Sequence, residues 1–218
     1  MNSSLIKKKD IEKTNASRLS DVINEELGLI TVSDFGGGEG IQMQGLDSQY
    51  TLILIDNQPI IGRSAGTLDL DRISVGNIKQ VEIVRGASSS LYGNEALAGV
   101  INIITDEPKS GFNGSLSSSY ETHNTLDNNI SLSFSNKNFK STFFVNRYSS
   151  DGYDLNENDE LKTVNKFKNS TLQLKLGYRI NKNFDIKLNS RYFAQSIDNV
   201  ASNSLTGESF TAEDNINL

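Results

Sequence analysis

Along the second half of the chain, apolar and polar positions alternate one by one. TLQLKLGYRI sets Leu172, Leu174, Leu176, Tyr178 and Ile180 against Gln173, Lys175, Gly177 and Arg179. FDIKLNSRYFAQ sets Phe184, Ile186, Leu188 and Tyr192 against Asp185, Lys187, Asn189 and Arg191, and NNISLSFSN repeats the pattern with Ile130, Leu132 and Phe134. A period of two is the strand signature, since successive side chains leave opposite faces. GFNGSLSSSY is a weaker version, and FKSTFFVNRY is ambiguous in phase because Phe143 and Phe144 are adjacent. Strands are expected over 112–121, 128–136, 139–148, 169–180 and 184–195, with another starting near 209. Runs of about 9–11 residues match a tilted strand crossing a bilayer. The connections at 136–138 and 181–183, both NKN, are tight, whereas 121–127, 149–168 and 196–208 are longer and polar. Such alternation is expected of a membrane β-barrel with short turns on one side and long loops on the other. A soluble β-sandwich also alternates in polarity, but needs neither this parity nor uniform strand lengths.

The first half is patterned differently. SRLSDVINEELG places Leu19, Val22, Ile23 and Leu27 on one helical face, with Gly28 set to end the helix. LITV predicts a short strand and GGGEG a flexible loop. GIQMQG and YTLILIDNQPI predict further strands, the second turning at Asp56–Pro59. DRISVGNIKQ predicts a short helical turn, and VEIVRGASSSLYGNEALAGVINIIT a strand, a polar turn and a strand. The expected fold is an α+β domain over 1–110, then antiparallel transmembrane β-barrel strands over 111–218 that form an incomplete barrel.

Composition sharpens that boundary. Of 17 Phe and Tyr, only Phe35, Tyr50 and Tyr92 precede residue 111. Residues 1–110 carry 10 basic and 15 acidic side chains, and the remainder 11 and 12. The net charge of -6 argues against a nucleic-acid partner, which calls for a basic patch. No stretch approaches about 20 apolar residues, so no membrane helix is expected, and MNSSLIKKKD lacks a signal peptide's apolar core. The chain has no cysteine, hence no disulfide or thiolate site, and its single histidine, His123, rules out a histidine-rich metal centre within it.

QVEIVRGASSSLYGNEALAGVINIIT resembles the plug-domain signature of TonB-dependent outer-membrane receptors, and GIQMQG, YTLILIDNQPI and LDLDRI follow that family's order and spacing. The match runs from about residue 9 to 108. It implies a plug inside a barrel of about 22 strands. It also implies location in the bacterial outer membrane, contact with outer-membrane lipid and energy coupling through the TonB protein. No triad, carboxylate pair or metal cluster stands out in the sequence, so no enzymatic activity, cofactor or metal is expected. A plug in a wet lumen must show polar groups outward, so the resemblance assigns Glu82 and Arg85 to contacts with the barrel wall. Gly45, Asp56, Gly86, Gly93, Gly99 and Asn102 belong to the signature turns, and Ser88–Ser90 to the backbone satisfaction of one of them. Asp34, Phe35, Gly62, Arg63, Ser64 and Gly66 fall in loops that would face a ligand. The segment before residue 9 is expected to be too short for the family's coupling peptide. Two positions depart from the common pattern: Ala87 stands where Pro is frequent, and Gln44 where Arg is frequent. The implied ligand is a ferric siderophore, with cobalamin as the alternative; a soluble or surface β-rich adhesin is the reading from another class.

Other motifs carry less. GGGEG lacks the Lys and following helix of a phosphate-cradling loop. DGYDLNENDE at 151–160 is acidic, but counting from Asp154 puts Asp159, not Gly, at the sixth position of an EF-hand loop. Tyr120, Tyr148, Phe184 and Phe210 lie near strand ends, where they suit an interfacial aromatic girdle or an ordinary core.

Overall fold

The computed structural model describes residues 2–26, 29–33, 39–60, 68–86, 96–155, 162–202 and 209–212. The chain divides into two units, Met1–Glu107 and Pro108–Leu218. Leu27, Gly28 and most of GGGEG lie outside the described residues.

Unit 1 is built on a mixed five-stranded sheet. Its strands are β1 (Asn2–Lys7), β4 (Thr51–Ile55), β5 (Gln58–Pro59), β6 (Ile78–Arg85) and β7 (Gly99–Thr105), in the order β1-β6-β7-β4-β5. Only β4 and β7 run parallel. A separate hairpin pairs β2 (Leu29–Ser33) with β3 (Glu39–Met43), so Glu39 and Gly40 lie in a strand rather than in the loop expected of GGGEG. Two short helices, α1 (Lys8–Thr14) and α2 (Leu19–Asn24), cover one sheet face. Asp21 starts α2, its carboxylate accepting from the backbone N–H groups of Arg18 at 3.0 Å and Ser17 at 3.2 Å. Leu19, Val22 and Ile23 are buried from α2, against Ile53, Ile55, Val81, Ile83, Ile101 and Ile103 of the sheet. The other face keeps a small core of Leu52, Leu54, Ala96 and Val100, with Val84 packed against it. Buried on both faces, β4 reads TLILI without alternation. The strand β1 and helix α1 were not expected of a polar opening segment; Ile6 and Ile11, both buried, anchor them.

Unit 2 is a six-stranded antiparallel sheet, in sequence order from β8 (Gly111–Glu121) through β9 (Thr125–Ser135), β10 (Phe139–Ser150), β11 (Lys166–Asn181) and β12 (Phe184–Ser202) to β13 (Ser209–Ala212). Register carries apolar residues into continuous rows: Leu116 opposite Ile130, Val145 opposite both Ile130 and Leu172, Leu172 opposite Tyr192, and Leu176 opposite Leu188. That face is exposed, with Phe112 at 72%, Leu116 at 75% and Phe184 at 55%. The opposite face is polar and, in its middle, buried: Asn146 at 1%, Thr171 and Gln173 at 2%, and Asn169 at 4%. A sheet folded in water shows the reverse arrangement. The phase ambiguity at Phe143–Phe144 resolves through opposite faces, Phe143 on the apolar one and Phe144, 1% exposed, on the polar one.

Three expectations are corrected. The connection expected to be long at 121–127 is a tight turn through Thr122–Asn124, with His123 and Asn124 both left-handed at φ 59° and 56° and Thr125 N donating to Thr122 O. Long and short connections therefore do not alternate from the start of the sheet. Strand lengths are not uniform either: β11 has 16 residues and β12 has 19, more than a bilayer crossing needs. Finally, Tyr148 lies on the polar face, its ring 4.9 Å from that of Phe167, and so forms no part of an outward girdle; Tyr120 and Phe184 do face outward, and the Phe210 side chain lies outside the described residues.

Candidate functional site

Three signature stretches meet where β6 ends and β7 begins. Gln44 and Gly45, at φ 55° and 76°, make a two-residue turn closed by reciprocal backbone hydrogen bonds between Met43 and Leu46. The turn carries Met43 against Gly99: a Cβ at Gly99 would fall 2.2 Å from Met43 Sδ and 2.6 Å from the Val84 carbonyl oxygen. Gly99 is thus required for close approach. Gly86, at φ 86°, is required for its backbone conformation, and a Cβ there would lie 3.9 Å from Gln44 Nε2.

A polar network crosses the sheet beside this junction. Asn102, 6% exposed, lies directly opposite Glu82, and its Nδ2 donates to Glu82 Oε2 at 3.1 Å and to Asn57 Oδ1 at 3.0 Å. Its Oδ1 accepts from Asn57 N at 3.1 Å, while Gln80 Nε2 donates to Glu82 Oε1 at 2.6 Å. Asp56 and Asn57 form a second left-handed two-residue turn, at φ 51° and 66°, between β4 and β5. The Asp56 carboxylate accepts from Thr105 N and Oγ1, each at 3.0 Å. Asn102 and Asp56 therefore fasten one hairpin turn to the neighbouring strands, which explains an amide inside a Val/Ile run.

Glu82 and Arg85 are three residues apart on β6 and leave it on opposite faces. Arg85 lies on the helix-covered side with its side chain 14% exposed, donating to Ser4 Oγ at 3.0 Å and lying 3.7 Å from Glu26. The two ionisable groups thus do not form one patch. Asp34, Phe35, Gly62, Arg63, Ser64, Gly66, Ser88–Ser90 and Gly93 lie outside the described residues.

In unit 2, the base of the 151–165 connection is tied to the first turn. Asp151 accepts from Lys166 Nζ at 2.9 Å and from Asn124 Nδ2 at 2.9 Å, and its backbone N–H donates to His123 O at 3.0 Å. The His123 and Tyr153 rings lie 4.8 Å apart. The hydrogen bond from Lys166, followed by that from Asn124, holds the Asp151 carboxyl below the usual carboxylate range. Among the described residues no group of three or more His, Asp or Glu could hold a metal ion, and no helix is long and apolar enough to cross a membrane.

Residues 1–100 match the family model "TonB-dependent Receptor Plug Domain". The vitamin B12 transporter BtuB of Vibrio vulnificus strain CMCP6 is 38% identical over 109 residues, covering 49% of this chain and 18% of that protein. BtuB of strain YJ016 is 27% identical over 199 residues, covering 89% of this chain and 32% of that protein. The chain thus spans at most about a third of these relatives' length. Among solved structures, the siderophore receptor PirA of Acinetobacter baumannii superposes with a TM-score of 0.78 at 21% identity, over 90% of this chain and 32% of that one. PirA of Pseudomonas aeruginosa gives 0.69 at 22% identity, over 89% and 34%. Likeness at that identity speaks for the fold alone. The plug-domain match over residues 1–100, the BtuB relatives and the shared fold together support a TonB-dependent receptor, with a plug domain followed by antiparallel barrel strands.

Proposed function

We propose that this chain is part of an outer-membrane receptor that binds a scarce nutrient and imports it with energy from TonB. The observation that carries this reading is the inverted polarity of unit 2, in a chain whose unit 1 is of plug type. Exposed Phe112, Leu116, Ile186 and Leu188 suit lipid, and buried Asn146, Thr171 and Gln173 suit a polar lumen. A soluble adhesin would have to expose the same apolar rows to water. Import of this kind is conformational: ligand binding biases an exchange of weak plug contacts, with no bond chemistry.

Cobalamin is the first ligand reading, because the relatives 35–38% identical to this chain carry the name vitamin B12 transporter. A ferric siderophore is the second, since the family resemblance implies it. Asp34, Phe35, Gly62, Arg63, Ser64 and Gly66 are the proposed ligand-facing residues, and Glu82 and Arg85 the proposed plug-retaining ones. The complete reading frame, expressed in a host lacking its own receptors, should restore growth on limiting cyanocobalamin. Growth only on ferric siderophores under iron limitation would select the second ligand, and rescue by neither would overturn import.

A further inference from the structure

On the polar face of unit 2, the end that bears the turns at 136–138 and 181–183 opens into a hollow of about 250 Å³. Gly177 is among its lining residues. Lys140 of β10 and Lys187 of β12 pair with Gly177 from its two sides, so two ammonium-bearing arms flank a position with no side chain. Lys137 and Arg179 add two further cations to the lining, and Asp185 is its single acid. Arg179 Nε holds that acid at 3.2 Å. Among the described residues Lys137, Lys140 and Lys187 make no ion pair. Arg179 N donates to Asn138 O at 2.7 Å, and Asn136 Oδ1 accepts from the backbone of Asn138 and Phe139, so the wall around the hollow is hydrogen-bonded in place.

Lysines on strands two places apart stand about 9–10 Å from each other at the backbone. Lys137, Lys140 and Lys187 are exposed, and gathering them around a bare glycine sets like charges near one another with no acid between them. An anion between them offsets that repulsion. The volume is below that of a site for a drug-sized ligand. Lysine serves as a point-charge partner for phosphate, and arginine as a planar one.

We propose that this hollow binds a phosphoryl group, either as free phosphate or as the headgroup of an anionic phospholipid. Inorganic phosphate carries between one and two charges at neutral pH and a phospholipid phosphodiester one, and either presents several acceptor oxygens to four cations facing one already engaged acid. The site lies wholly within unit 2 and is independent of which nutrient is imported.

The test is phosphorus NMR of the purified protein in a phosphorus-free detergent, titrated separately with inorganic phosphate and with dihexanoyl phosphatidylglycerol, and with acetate as competitor. Saturable broadening is expected for at least one phosphorus probe, displaced poorly by acetate. The Lys140→Gln/Lys187→Gln double variant should weaken it at least about tenfold, equivalent to about 1.4 kcal/mol. Gly177→Leu should abolish it by filling the hollow. A Cβ at 177 would meet only Lys140 Cβ, at 3.8 Å, so this variant keeps the sheet intact and serves independently should the double variant misfold. Lys168→Gln, at the far end of β11, should change nothing. Binding of phosphate alone assigns a soluble oxyanion, and binding of the lipid alone a headgroup. No saturable binding by either probe, or binding indifferent to Gly177→Leu or to the double variant when folded, overturns the proposal.

Discussion

Gly99 shows how one missing atom orders a domain. Met43 Sδ occupies the space of the absent Cβ, and the Val84 carbonyl stands 2.6 Å from the same point. A thioether can swing aside, but a ladder carbonyl cannot without shifting β6 against β7. Gly99→Ala should therefore destabilise unit 1 by about 1–3 kcal/mol, read as a lower urea midpoint with an unchanged slope. Asn102→Leu removes the partner of Glu82 Oε2 and of both Asn57 groups, so about 1–3 kcal/mol is expected there too. For Arg85→Ala, faster release of plug fragments in limited proteolysis of the complete receptor is expected; an unchanged digestion pattern would remove Arg85 from plug retention. Gly45 and Gly86 take the positive φ that a turn calls for, whereas Gly99 and Asn102, expected among the turns, lie in β7. Their partners were not legible in the sequence, because Met43 and Asn57 reach them only after strands distant in sequence have paired.

Strands and turns were legible to different degrees. Alternation located β8 to β12 to within a few residues at most ends, because register on a two-faced sheet is fixed by which side chains each solvent accepts. The ends of β11 and β12 escaped, since past the apolar rows the pairing continues without an alternating pattern to mark it. The first turn also escaped: His123-Asn124 supplies two left-handed residues without the Asn-Gly pair that usually announces them. Asn124→Val should weaken that hairpin, while Asn124→Gly should preserve the backbone but lose the bond to Asp151; amide exchange at Thr125 and Asp151 separates the two effects. Asp151 has its carboxyl pKa lowered in the folded state, so its ionised form contributes stability above the ordinary carboxylate pKa near 3.8. That contribution is lost as pH falls below 3.8 through the lowered value. Lower protection of the Gly152 and Tyr153 amides, relative to their intrinsic exchange rates, is expected in acid, and Asp151→Asn should lower that protection at neutral pH as well.

For the whole molecule, the decisive quantity is which face meets which solvent. Leu172 and Leu132 stand on the exposed apolar face, and a Lys at either should cost about 2–4 kcal/mol at the bilayer midplane. Lipid-vesicle insertion, followed by the heat-modifiable gel mobility of folded barrels, should fall for Leu172→Lys and stay near normal for Ser131→Lys on the polar side. Equal loss for both would remove lipid as the outer solvent. The aromatic asymmetry across Pro108 was visible in the sequence for the same reason, because large rings gather where a sheet has an apolar exterior to cover.

Phe143 and Phe144 are neighbours in the chain that leave β10 on opposite faces. Deleting a single amino acid just ahead of them in β10 would exchange their destinations, sending grease inward and amides out along the remainder of the strand. On such a wall, spelling errors that swap one letter are mild and errors that change the count are ruinous. Evolution can therefore rewrite these strands freely, provided it never loses its place.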